Sequence, residues 1–288
     1  MSTLNEHDWE MKKKMGYWGD HASEGLYRGG EGIIEHMLGT TKILPFTVEE
    51  IIEAGIGSLS SHFKKLKSAS EIEEEIKGAL SNNKGYSLIR MGDGELTTLA
   101  HDFILTTEEI QKTPNLSFLN YAGVTLPDHP TRDMLTKNLL EADSVGIPIP
   151  RWPAFQQLFI KLARYHGWPI EKMPLTYSII NYELHLQTNL FPHLLNNYKV
   201  LLIGNRMKEG EEIFRSSGYS NIVGSIRAEN IKAVPAILAE AEKFDYDVAF
   251  VSAGIAANLI CVELGKQGKI AIDFGHLIDE LINKTKSI

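Results

Sequence analysis

Asp93 and Glu95 stand two residues apart between glycines, in Arg90-Met-Gly92-Asp93-Gly94-Glu95, directly after the apolar run Tyr86-Ser-Leu-Ile. Two carboxylates are hard oxygen ligands of the kind that hold Mg²⁺ or Mn²⁺ beside substrate phosphates. Gly92 and Gly94 allow a sharp turn and a close approach of backbone to ligand. Arg90 carries a planar guanidinium that can grip two oxygens of a diphosphate at once. The same residues also suit a plain strand-to-helix turn, with Asp93 as N-cap and Glu95 complementing the helix dipole. Short motifs of this kind match often by chance, so the remaining chain has to decide.

Three further turns carry residues fit for binding or catalysis. Gly204-Asn-Arg206 follows the run Val200-Leu-Leu-Ile and offers backbone N–H groups with a second arginine. Ser252-Ala-Gly254-Ile-Ala-Ala-Asn258 is a run of mostly small residues opening a helix, where an anion could sit against the N-terminus. Asp273-Phe-Gly275-His276-Leu-Ile-Asp279-Glu280 places His276 and Glu280 four apart, on one face of a helix. Each turn alone is explained by caps, tight turns or a surface pair. Four in succession, each after a predicted strand, form a pattern.

The elements that would position them alternate. Strands are predicted at 86–90, 144–149, 175–180, 198–204, 221–226, 247–252 and 269–273. Helices are predicted at 152–165, 182–190, around 211–214, and at 230–244, 256–265 and 276–283. Alternation of this kind predicts an α/β chain with a Rossmann-like, mostly parallel sheet covered by helices on both faces. Ligands in such sheets bind beyond the carboxyl ends of the strands, where the four turns fall. Ahead of this lie a glycine-rich arm over residues 1 to about 45, with Trp9, Tyr17, Trp18, His21 and Tyr27, a helix at 47–66 capped by Thr47, and a helix at 70–80 capped by Ser70. The domain boundary is set at 74/75, with a helical N-terminal arm over 1–74 and the catalytic domain over 75–288.

Composition narrows the function. The 288 residues carry a formal charge of −8, which argues against nucleic acid as the partner. A local arginine or bound cation still permits a nucleotide substrate. The single cysteine, Cys261, excludes a disulfide framework and a cysteine-based zinc site, and reads as a small core residue. No apolar run approaches the roughly 20 residues that span a bilayer, and the N-terminus has no secretory h-region, so a cytoplasmic protein is expected. There is no G-x-x-x-x-G-K-[ST], no G-x-G-x-x-G after a strand, no G-x-S-x-G and no H-E-x-x-H. His185 and His193 read as structural.

The pattern resembles the glycosyltransferases of the GT-D fold. The resemblance rests on the R-x-G-D-G-E segment from Arg90 to Glu95, whose D-x-E replaces the commoner D-x-D. It rests also on Ser252-Ala-Gly254 and on a strand ending D-[IF]-G-H-x-x-x-E, here Asp273 to Glu280. Ile180-Asn-Tyr-Glu183 and Leu202-Ile-Gly-Asn-Arg206 are similar to bacterial members, and the resemblance spans about residues 75 to 285. It implies transfer of a sugar from a nucleotide-diphosphate donor, a UDP-sugar first, to a glycan or glycoprotein acceptor. It implies Mn²⁺ or Mg²⁺ on Asp93 and Glu95. Arg90, Gly92, Gly94, Gly204, Arg206, Ser252 and Gly254 would then face the donor, with His276 or Glu280 as base. Two rivals stay open, another Rossmann-like transferase and a non-catalytic nucleotide-sugar-binding or interaction module. A homo-oligomer is open as well.

Overall fold

The computed structural model describes residues 25, 27–112, 118–151, 154–283 and 286. The expectations for Trp9, Tyr17, Trp18, His21 and Trp152 lie outside these residues. The chain divides into two compact units, residues 1–64 and 65–288. In the first, a π-helical turn Tyr27–Glu31 leads into helix Gly32–Leu38, so part of the expected arm is helical. Helix Val48–Ser58 is capped by Thr47, whose side chain takes the Glu50 N–H while Glu50 returns the bond to the Thr47 backbone. It stops at Ser58 rather than 66, after Gly55 and Gly57 have weakened it, and a 3-10 turn Ser60–His62 follows.

The second unit is built on seven strands: β1 Tyr86–Arg90, β2 Ser144–Ile147, β3 Leu175–Tyr177, β4 Val200–Gly204, β5 Ile222–Ile226, β6 Val248–Ser252 and β7 Ile270–Asp273. Their order is β3-β2-β1-β7-β6-β4-β5, and every pair is parallel. Alternate strand residues feed two cores. Ile89, Val145, Leu201 and Val251 face helices Asp93–Ala100, His129–Glu141, Phe155–His166, Val234–Ala241 and Ala256–Lys266. Leu88, Leu202, Phe250 and Ile272 face helices Ala69–Ser81, Ile180–Gln187, Leu190–Asn197, Met207–Ser216 and Leu277–Ile282. On this second side Phe191, Phe214, Phe250 and Phe274 form an aromatic knot, with Phe250 and Phe274 stacked at 5.0 Å.

The connections follow from handedness. Steps β1→β2, β2→β3, β5→β6 and β6→β7 run one way across the sheet over the first face, and β3→β4 and β4→β5 run the other way over the second. A right-handed crossover demands that pairing of direction and face. The chain leaves β1 toward the first face, and the helix after β7, Leu277–Ile282, packs on the second. Ligands of open α/β sheets bind at such a change of face.

Helix Ala69–Ser81 corrects one detail of the sequence reading, because its N-cap is Ser68 and not Ser70. Ser68 takes the Glu71 N–H at 3.3 Å, and Glu71 Oε2 takes the Ser68 N–H at 2.8 Å. Ser70-Glu73 has the same spacing, but the helix already begins at Ala69, which is buried together with Ile72 and Ile76. Ser68→Ala is expected to cost about 1 kcal/mol and Ser70→Ala close to nothing, read from urea denaturation midpoints.

Candidate active site

β1 ends in Arg90, and that side chain is turned into the protein. Its Nη2 donates to Asp273 Oδ1 at 3.0 Å, and its Nη1 donates to the Ser178 carbonyl at 3.0 Å and to Asn181 Oδ1 at 3.1 Å. Asn181 in turn donates to the Phe274 carbonyl at 2.9 Å, and Asn258 donates to the Arg90 carbonyl at 3.2 Å. Burial disfavours the guanidinium's charge, yet Asp273, with Glu95 behind it, holds the group protonated above its ordinary value. Gly275 exists for this arginine: a Cβ there would lie 1.8 Å from Arg90 Nη2, and its φ of 54° is left-handed as well. The two motifs singled out in the sequence are thus the two halves of one buried ion pair across adjacent strands β1 and β7. Asn181 and Asn258 are the members sequence reasoning left without a role. Their signal was an amide among apolar neighbours at a helix start, buried here only because it is bonded.

Past Arg90 the chain turns at Gly92, the N-cap of helix Asp93–Ala100. Asp93 is exposed, and its Oδ1 accepts the Gly94 N–H at 2.9 Å. Glu95 is only 8% exposed and reaches back, Oε2 accepting the Gly92 N–H at 2.9 Å. The cap is thus Gly92 and not Asp93, while Glu95 complements the helix start. Burial first, and then the nearby Asp273 charge, push the Glu95 carboxyl up to about 7, against the pull of its own N–H, the Gly92 N–H and Arg90.

The neighbouring strand ends complete the edge. Gly204 sits where a Cβ would come within 2.4 Å of the Ser252 carbonyl, so β4 and β6 close tightly at their exits. Ser252 Oγ donates to the Gly275 carbonyl at 2.5 Å, fixing the β7 exit to β6. Gly254 has φ 53° and opens space ahead of helix Ala256–Lys266. Arg206 binds Asp279 and Glu209, each at 2.8 Å. His276 precedes helix Leu277–Ile282 as its N-cap residue, with its side chain 90% exposed, and pairs through Nδ1 with Asp279 Oδ2 at 3.1 Å. Glu280, expected on the same face, instead meets Lys286 at 3.2 Å and the Tyr182 hydroxyl. Arg206, Asp279 and His276 are brought together, and Arg90, Asp273 and Glu95 form a separate, deeper group.

No curated protein matches the chain. The family model of the GT-D fold-like domain matches residues 67–281, three quarters of its length. The chain belongs to the GT-D fold-like family. Among solved structures, "A New Glycosyltransferase (DUF1792) from Streptococcus sanguinis" is 16% identical with a TM-score of 0.48, over 78% of this chain and 87% of that one. A second, described as a domain of unknown function 1792 with a distinct glycosyltransferase fold, is 18% identical with a TM-score of 0.48, over 77% and 81%.

GT-D members imply a divalent cation, and the donor groups of this chain can be tested for one. Asp93 is exposed, and Mg²⁺-type sites need only one or two carboxylates when substrate phosphates supply the rest. That turn fits. His101, Asp102 and His129 also place ligand atoms within 4.8 Å of one another. There, however, His101 Nδ1 donates to the Thr98 carbonyl at 2.5 Å and Nε2 accepts the Asp128 N–H at 3.1 Å. Both ring nitrogens are used, and burial holds the imidazole below its ordinary value, hence neutral. This cluster ties helix Asp93–Ala100 to the start of helix His129–Glu141 and does not fit a cation.

Two measurements check this GT-D site. Arg90→Met strands Asp273 as a buried charge and should cost about 3–5 kcal/mol in urea denaturation, most of it recovered by adding Asp273→Leu. Glu95, as an acid raised on folding, holds more protons folded than unfolded between its ordinary value and about 7. Stability from this group is therefore greatest at low pH and falls as pH rises through that window. Glu95→Gln removes the effect, so the difference in Tm between variant and wild type should grow in the variant's favour from pH 5 to pH 8. A constant difference would rule the raised carboxyl out.

Proposed function

We propose that this chain is a glycosyltransferase that moves a hexose from a UDP-sugar to a hydroxyl of a glycan or glycoprotein acceptor, with Mn²⁺ or Mg²⁺. The observation that carries the reading is the exposed Asp93 on its Gly92–Gly94 turn. It stands at the β1 exit, where β1 and its neighbour β7 send the chain to opposite faces. GT-D family membership supports the sugar-transfer class. When bound, the cation would sit on Asp93 with the donor's phosphate oxygens and neutralise the diphosphate leaving group.

The chain's own residues do the rest. Gly254, with nothing near the position of a Cβ, clears space before helix Ala256–Lys266. Arg206 stands at the rim as a half-exposed cation that can exchange one carboxylate partner for a phosphate. His276 takes the acceptor proton at Nε2 while Asp279 holds Nδ1. The rival Glu280 is occupied by Tyr182 and Lys286, which favours the histidine.

His276→Asn is expected to lower the transfer rate by roughly 10²-fold or more with UDP affinity unchanged, as loss of a general base does. Glu280→Gln should change the rate far less. The measurement is UDP release from a panel of UDP-sugars and acceptors with Mn²⁺ present, alongside UDP titration calorimetry. Normal turnover in His276→Asn would place the base elsewhere.

A further inference from the structure

Two carboxylates in a D-x-E are ordinarily counted together, but here they point apart. Residues two positions apart on a helix are rotated by about 200°, so Asp93 and Glu95 at its first and third positions cannot converge without one leaving its place. Asp93 faces solvent. Glu95 faces inward, and each of its neighbours has a stake in that position. Its Oε2 accepts the Gly92 N–H at 2.9 Å, its carboxylate also takes its own backbone N–H, and Arg90 and Asp273 lie behind it. Gly92 is shaped to it, since a Cβ there would stand 3.0 Å from Oε2. Turning Glu95 outward would leave the Gly92 N–H without its acceptor and open a hole beside a buried arginine that is itself held by three other acceptors.

Resting on the transferase reading above, we propose that Asp93 is the one carboxylate of this pair that meets the donor's cation. Glu95 is a positioning residue that holds the Gly92–Gly94 turn from inside. A single carboxylate is enough for a cation whose remaining ligands are water and diphosphate oxygens. The glycines then have separate duties. Gly92 makes room for the Glu95 carboxylate below the turn, and Gly94 donates to Asp93 above it.

The test uses the full chain and four proteins: wild type, Asp93→Asn, Glu95→Gln and Glu95→Ala. Binding of Mn²⁺ in the presence of UDP is followed by loss of the free-Mn²⁺ electron paramagnetic resonance signal, and Tm is measured on the same samples. Glutamine keeps an oxygen that can accept the Gly92 N–H, whereas alanine keeps none. Asp93→Asn is expected to lose Mn²⁺ uptake at unchanged Tm. Glu95→Gln should stay within about threefold of wild type, because the turn survives without the charge. Glu95→Ala should lower Tm and weaken uptake together. Loss of uptake in Glu95→Gln equal to that in Asp93→Asn, at normal Tm, makes Glu95 a ligand and overturns the proposal. A wild-type Tm in Glu95→Ala overturns the positioning role. If the wild-type chain takes up no Mn²⁺ with UDP, the transferase reading falls first and this assignment falls with it.

Discussion

The Arg90–Asp273 ion pair is the constraint on which the active edge depends. It joins the last residue of β1 to the last residue of β7 at the centre of the sheet, where the chain leaves in opposite directions. A charge pair buried there is costly to desolvate, and it persists because both terminal nitrogens of the guanidinium are bonded, although Arg90 Nε is buried without a partner. Ser178, Asn181 and Asn258 bring in the segment after β3 and two helices, and Gly275 gives the guanidinium its space. The position of the D-G turn and of the His276 loop is therefore set by one side chain, from below.

The opposite edge of the sheet shows the contrast. There Lys67 meets Glu75 at 2.7 Å, the Tyr86 hydroxyl donates to Glu75 at 2.6 Å and bonds Ser144 at 2.7 Å, and Asp143 takes the Ser87 N–H at 2.8 Å. This network is as dense as the one around Arg90, and burial pushes the Tyr86 hydroxyl far above its ordinary range. It lies at the amino ends of β1 and β2, where a parallel sheet is sealed. Polar clusters at that end hold the strands in register. Only at the carboxyl ends do exposed groups such as Asp93 and His276 rise out of the buried layer.

How far the sequence could be read follows from what each element buries. Six of the seven strands are legible within two residues because parallel strands covered on both sides show up as short apolar runs, as in Val200-Leu-Leu-Ile. β3 instead stops at Tyr177, three residues short of the expected end, because helix Ile180–Gln187 begins there. The stretch from 96 to 143 is not legible in the same way. Helix His129–Glu141 buries Thr131, Arg132 and Asn138 along with Leu135 and Leu139, so its inward face has no apolar stripe to recognise. Ser68 and Ser70 have the same spacing to a glutamate, and the helix starts at the first. The candidate site was legible as a set of strand-end turns, but not in its depth. Nothing in R-x-G-D-G-E says that the arginine and glutamate point in while the aspartate points out. Nor does a four-residue spacing reveal that His276 stops one position short of the helix and pairs with Asp279 rather than Glu280.

On the transferase reading, depth also decides which arginine a diphosphate can reach. Taking Arg90 away from Asp273 would break a buried pair, a loss of about 3–5 kcal/mol before any phosphate contact is counted. Arg206 is different. Its pairs with Asp279 and Glu209 are part-exposed, and pairs of that kind are worth about 0–1 kcal/mol, so a phosphate can replace either partner at little cost. Asp279 is the shared member, bound at once to Arg206 and to His276. A donor that draws Arg206 to its phosphates leaves Asp279 to the imidazole alone. Arg206 and His276 thus share one aspartate at the surface, and Arg90 is held in the buried layer beneath them.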